Sequence, residues 1–438
     1  MNRRQRRWAA RSGVTVLAVG LLMPAARVPA RAADATCTGQ RDAPVHVPET
    51  SAALTALGDQ AVWGLATGQG VTVAVVDSGI HTRNAHLPAD SAVLAGQTFV
   101  EGAGQWTFDP AGRNDRSGHG TAVASLIAGR PVQGSGQVGL AKDAELLPMQ
   151  VSGVSEDQRG GGDPLDLLLP RTDRLAAGIR AAAERGAKVI NVSVSLDRAD
   201  QALADAVTLA DARGALVVAS AGDRASAGDR ATAANNADGP RYPAAFPNVV
   251  SVTALTSTGA VDTANTIQGE HITVAAAGQG LAIAFGDKGD CGPKGATATG
   301  YATPLVAATA ALIAQRYPGE TPALWKYRIE ASALRPRADV KDAALGWGIL
   351  SPYGALTMTL DPNRPGPAMP GHPAPPRSAQ QEGAGPVELE SDPEATNRQI
   401  GIWMAFVTGA GAGGLSLVRI LRRGRGRGPA PALGLDVA

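Results

Sequence analysis

Two residues in this chain sit where a side chain can be held and aimed. Asp77 ends the β-branched run Val71-Thr72-Val73-Ala74-Val75-Val76 and is followed by Ser78-Gly79. His119 stands between two glycines in Ser117-Gly118-His119-Gly120-Thr121, at the head of the helical stretch Ala122 to Gly129. Taken singly, Asp-Ser-Gly is ordinary turn chemistry and a loop histidine is an ordinary surface residue. Together, a carboxylate can orient an imidazole and stabilise its cation while the ring takes and returns a proton. Such a pair serves a nucleophile. The stretch placed to carry one is Ala298-Thr299-Gly300-Tyr301-Ala302-Thr303-Pro304, which leads into the apolar run Leu305 to Ile313. Pro304 is expected in the first turn of the helix, where a missing N–H costs nothing. A group at that helix start feels unpaired N–H donors and the positive end of the dipole, which suits a developing oxyanion. Yet position 300 is glycine and offers no hydroxyl.

The elements that must hold these residues read as a parallel α/β domain. Apolar runs without strict alternation recur at Val71 to Val76, Ala144 to Val151, Lys188 to Val194, Ala215 to Ser220, Val249 to Leu255 and Ile272 to Ala276. Strands covered on both faces look like this. Helical stretches at Asp173 to Ala187 and Ala202 to Arg213 separate some of them, with Gly186 and Gly214 near their ends. Alternation of strand and helix is the pattern of βαβ units, and it predicts a doubly wound, mostly parallel sheet with helices on both faces. Ligands in such folds bind beyond the carboxyl ends of the strands.

The chemistry-bearing segments resemble, in order, those of the subtilisin-like serine proteases. Asp77-Ser78-Gly79, His119-Gly120-Thr121 and the Gly300 region follow the Asp…His…Ser order of that family. Gly139-Leu140-Ala141-Lys142-Asp143-Ala144 resembles its lead-in to a strand, and Tyr242-Pro243-Ala244 its segment after the oxyanion strand. The resemblance covers about Trp63 to Tyr353 and implies a subtilisin-like fold. It also implies catalytic roles for Asp77 and His119, a nucleophile at position 300 and an oxyanion-hole amide at position 223. No cofactor is implied, and no cysteine spacing suggests a metal site.

Three positions depart from the family pattern. Aligned on Pro304, the nucleophilic serine falls on Gly300. In Val217-Val218-Ala219-Ser220-Ala221-Gly222-Asp223 the oxyanion amide is replaced by Asp223, whose charge repels an oxyanion. In Val189-Ile190-Asn191-Val192-Ser193-Val194-Ser195 the substrate strand carries Ser195 where the family has glycine. In subtilisin, loss of the nucleophile costs about 2 × 10⁶ in kcat, and loss of the oxyanion amide about 10²–10³. Either is enough to remove useful proteolysis. Thr299 and Thr297 are the nearest other hydroxyls, and an error of about 1 Å in placement can already cost about 10²-fold. The expectation is therefore a pseudoprotease with a structural or peptide-binding role. The competing reading is an active serine endopeptidase with an unrecognised nucleophile.

The 438 residues are 44% hydrophobic and carry a net charge of +1, which gives no reason to propose nucleic acid. Arg3, Arg4, Arg6 and Arg7 precede an apolar run from Gly13 to Met23 and the cleavage-like Ala30-Arg31-Ala32, so 1–32 read as a secretory signal peptide, or as an uncleaved anchor. An N-terminal extension at 33–62 and the peptidase domain at 63–360 follow. Cys37 and Cys291 are the only cysteines. An exported pair usually bonds, though free thiols or pairing with another protein remain open. Residues 361–398, rich in Pro, Gly, Glu and Ser, read as a linker. At 399–418 lie about 19 uncharged residues, near the roughly 20 that cross a bilayer as a helix. Gly409 and Gly413 form a weak GxxxG pair within that segment. The basic 419–438 tail, with Arg419, Arg422, Arg423, Arg425 and Arg427, would then be cytoplasmic and the main domain extracytoplasmic. Signal, protease domain, linker and C-terminal helix together resemble the mycosins. That resemblance implies a membrane anchor, a protein or peptide ligand, and association with a type VII secretion membrane complex.

Overall fold

The computed structural model describes Cys37 and, with gaps at 102–106, 154–170, 225–235, 288, 294 and 296, residues 45–373. The segments read as signal peptide and membrane helix, the basic tail and most of the linker lie outside the described residues. Among the described residues no helix is long and apolar enough to cross a membrane.

The strands are β1 (Thr72–Asp77), β2 (Gln97–Thr98), β3 (Glu145–Gln150), β4 (Val189–Val192), β5 (Leu216–Ser220), β6 (Val250–Leu255), β7 (Val274–Ala277), β8 (Ile283–Ala284) and β9 (Asp290–Cys291). The helices are α1 (Ala52–Ala56), α2 (Asp59–Trp63), α3 (His119–Ala128), α4 (Thr172–Glu184), α5 (Gln201–Ala212), α6 (Thr299–Arg316), α7 (Pro322–Ser332) and α8 (Pro352–Thr357). Seven strands form one sheet in the order β2-β3-β1-β4-β5-β6-β7, every pairing parallel. β8 and β9 form a small antiparallel pair. The chain leaves β1 toward β3 on one side and β4 on the other, so the strand order switches direction beside β1. That switch is where a doubly wound sheet opens its binding crevice.

Period-two alternation divides β1, β3, β4 and β5 between two cores. Val73 and Val75 of β1 pack with α3 and α6, while Ala74 and Val76 pack with α4 and α5. In β5 Leu216 and Val218 face the first core, and Val217 and Ala219 the second. Both faces are covered, so the strands read as continuous apolar runs. α4 buries Leu175, Ala176, Ile179, Ala182 and Ala183, one stripe of an amphipathic helix. α6 is buried almost all round, from Thr299 to Ala314, as befits a helix through the middle of the domain.

Two features differ from the sequence reading. α6 begins at Thr299, so Pro304 lies in its second turn instead of its first. Lacking an N–H, Pro304 cannot close the helical bond to the Gly300 carbonyl. Thr303 Oγ1 donates instead to the Thr299 carbonyl at 2.7 Å and steadies the same turn. The short β2, α1 and α2 carry too few residues to show a periodicity, although Leu54 and Val62 from the extension reach the first core. The cysteine question is resolved: Cys37 and Cys291 form a disulfide across 254 residues.

Candidate active site

The sheet delivers its chemistry at the carboxyl ends of β1, β4 and β5. Asp77 is the last residue of β1 and is buried. Its Oδ1 accepts the Ser78 N–H at 2.8 Å and lies 2.8 Å from His119 Nδ1, with Oδ2 at 3.1 Å. The carboxylate thus fixes the ring with Nε2 directed away from it.

His119 opens α3, and its loop is braced by a residue that the sequence reading missed. Asp115, partly buried, accepts from Ser78 Oγ at 2.9 Å, Gly118 N–H at 2.9 Å, Thr121 N–H at 2.8 Å and Thr121 Oγ1 at 2.7 Å. Ser78 Oγ in turn accepts the Gly120 N–H. Burial pushes the Asp115 carboxyl up, against the hydrogen bonds from Thr121 and Gly118 that pull it down. The two loops lie so close that a Cβ on Gly120 would collide with the Gly79 carbonyl, so glycine is required there. An Asp four residues before a helix start was the available signal, but it marks many structural loops equally well.

The helix facing this pair brings Gly300 to the ring. A Cβ added to Gly300 would lie 3.1 Å from His119 Nε2 and 3.1 Å from the Ser193 carbonyl oxygen. The imidazole therefore already stands against the helix at the place a serine side chain would fill. Tyr301 lies beside the same ring, centroids 5.5 Å apart.

The two threonines nearest to it in sequence are both buried. Thr299 is fully buried, and its Oγ1 is 2.6 Å from Ser220 Oγ, tied to the end of β5. Thr297 is buried as well, and its methyl packs near Gly278.

Asp223 follows β5 and turns onto the start of α6. Its Oδ1 and Oδ2 accept the Thr299 N–H at 2.9 and 3.1 Å. A carboxylate at a helix N-terminus is favoured by the unpaired N–H groups and the dipole. The side chain that the family pattern would make an oxyanion donor is here itself the anion on that helix end. Ser195 lies near Gly222, where an added Cβ would come 3.3 Å from Ser195 Oγ, so its hydroxyl stands at the foot of the same loop. The structure thus brings Asp77, His119, Gly300 and Asp223 together around one cleft.

Known proteins place the whole. Residues 68–348 match the subtilase family, Peptidase S8. Mycosin-1 of Mycobacterium tuberculosis is 34% identical over 68% of this chain and 71% of its own length. Mycosin-3 of the same organism is 32% identical over 72% and 73%. Among solved structures, MycP1 from Mycobacterium smegmatis superposes with a TM-score of 0.59 at 27% identity, over 75% of this chain and 92% of that one. A chain of the periplasmic assembly from the ESX-5 inner membrane complex gives 0.59 at 25% identity, over 80% and 94%. With the strand order, the Asp77–His119 pair and the helix at position 300 in register, the chain belongs to the subtilase family, as a member of its mycosin type.

Proposed function

We propose that this chain is a proteolytically silent mycosin that keeps the subtilisin cleft as a peptide-binding or structural surface within a type VII secretion complex. The observation that carries the reading is Gly300, set against His119 Nε2 with no side chain to attack a carbonyl. Acyl transfer needs that covalent step, and an ordered Asp–His pair alone leaves no nucleophile to activate. Asp223 supports the same reading, because its carboxylate already sits on the helix end toward which an oxyanion would be drawn. A peptide could still pair with the residues that follow β4, Ser193 to Ser195, and bind without being cut. The secretion role is supported by the likeness to a chain of the ESX-5 inner membrane complex. The apolar segment at 399–418 would hold the domain at the membrane, on the extracytoplasmic side.

Fluorophosphonate treatment of the purified full chain tests the chemistry. No adduct is expected, and stoichiometric labelling would overturn the reading. For the assembly role, crosslinking in native membranes should capture a secretion-complex subunit. Recovery of the uncrosslinked monomer alone, or release of the chain by alkaline carbonate, would count against it.

A further inference from the structure

A second cluster of polar side chains lies outside the cleft and has no part in the chemistry above. His46 comes from the N-terminal extension, His86 from the loop after β1 and Asp290 from β9. They are 244 and 204 residues apart from Asp290 in sequence, so no short motif announces them. Asp290 Oδ2 lies 2.6 Å from His46 Nδ1 and 3.0 Å from His86 Nε2, and the three atoms fall within 4.8 Å of one another. His86 and Asp290 are completely buried.

His86 decides what the cluster needs. Its Nδ1 is 2.7 Å from the Arg130 carbonyl oxygen, which can only accept, so the proton of a neutral ring is on Nδ1. Nε2 then presents a lone pair to a carboxylate oxygen, deep in the protein. Two electron-rich atoms so placed require either a second proton on the ring or a metal ion to bridge them. A ring nitrogen that ligates a metal while its other N–H donates to a backbone carbonyl is the common arrangement around protein-bound zinc. The carboxylate is oriented in the same way, since Val47 N–H donates to Asp290 Oδ1. Ser135 Oγ, 2.8 Å from Asp290 Oδ2, stands where a fourth oxygen or a bound water could complete the set.

We propose that His46, His86 and Asp290 form a binding site for a divalent transition metal of the zinc class. Two imidazoles and one carboxylate suit zinc and its neighbours, whereas calcium and magnesium take all-oxygen sets. The site would clasp the extension to the domain beside the Cys37–Cys291 disulfide, because Cys291 follows Asp290 directly. The Asp290 N–H also donates to the Val45 carbonyl, so backbone and side chains hold the same strand of the extension.

The test is metal uptake by the purified full chain. After treatment with a strong chelator and dialysis against micromolar zinc, elemental analysis should find about one zinc per chain, and removal of that zinc should lower the melting temperature. His86→Gln should abolish uptake. Should that buried change prevent folding, His46→Gln carries the test, because the His46 ring is 22% exposed. His46→Gln should lower zinc affinity by roughly ten- to a hundredfold or more, whereas His372→Gln, at an exposed site, should leave it unchanged. A folded chain that takes up no zinc would overturn the proposal and leave a cluster held by protons alone. Uptake that persists in His46→Gln and is lost in His372→Gln would overturn it equally.

Discussion

On one side of the cleft, Asp77, Ser78 and Asp115 tie the end of β1 to the start of α3 through a mesh of hydrogen bonds, with His119 hung from it. On the other, the start of α6 presents Gly300 and is closed by Asp223. The first side cannot lose its polar groups without leaving buried N–H groups unpaired, so its side chains serve the fold whether or not they serve a reaction. A nucleophilic hydroxyl at position 300 would point into the cleft and brace nothing. Its absence costs the reaction about six orders of magnitude and the fold little. A half-preserved catalytic site is therefore what this distribution of structural duties allows. The retained pair is evidence of architecture and does not by itself demonstrate turnover.

The largest effect expected is gain of function. Gly300→Ser with Asp223→Asn should acquire fluorophosphonate labelling and peptide hydrolysis, with Gly300→Ser alone slower by about 10²–10³. Gly300 lies in ordinary helical backbone, so serine fits the main chain there, but the His119 ring and the Ser193 carbonyl must each yield a few tenths of an ångström. Silence of the double variant would mean that the cleft has diverged beyond these two positions, and the contrast between its sides would fail.

A smaller effect separates the two sides by stability. Asp77→Ala should cost about 1–3 kcal/mol in denaturant unfolding, because it leaves the buried Ser78 N–H without its acceptor. His119→Ala, whose ring is a quarter exposed, should cost less. Equal losses would remove the distinction between scaffold and chemistry within that pair. Asp223→Ala should cost about 1 kcal/mol through the lost partner at the start of α6. No loss at all would show that the carboxylate is idle there.

The smallest effect is a pH dependence. Burial raises the folded-state value of Asp115 above that of the unfolded chain. Its contribution is fully present below the unfolded carboxylate value and is lost as pH rises through the higher folded one. Asp115→Asn has no proton to lose, so the stability gap between parent and variant should narrow from about pH 4 to pH 7. A gap that widens over that range would mean that the four donors, not burial, govern Asp115.

The chain by itself determined the layered α/β domain, because strands buried on both faces must be apolar at nearly every position. β1, β3, β5 and β6 were accordingly legible to within a residue or two. It also determined that position 300 offers no hydroxyl, since no arrangement in space can give glycine one. Tertiary structure alone decided what the substituted residues do. Asp223 was readable as a lost amide but not as an anion seated on α6, since its partner N–H is 76 residues away. The bond from Ser78 to Asp115, the disulfide and the meeting of His46, His86 and Asp290 were likewise decided by folding. Each depends on distances between segments far apart in the chain, and local spacing carries no record of such distances.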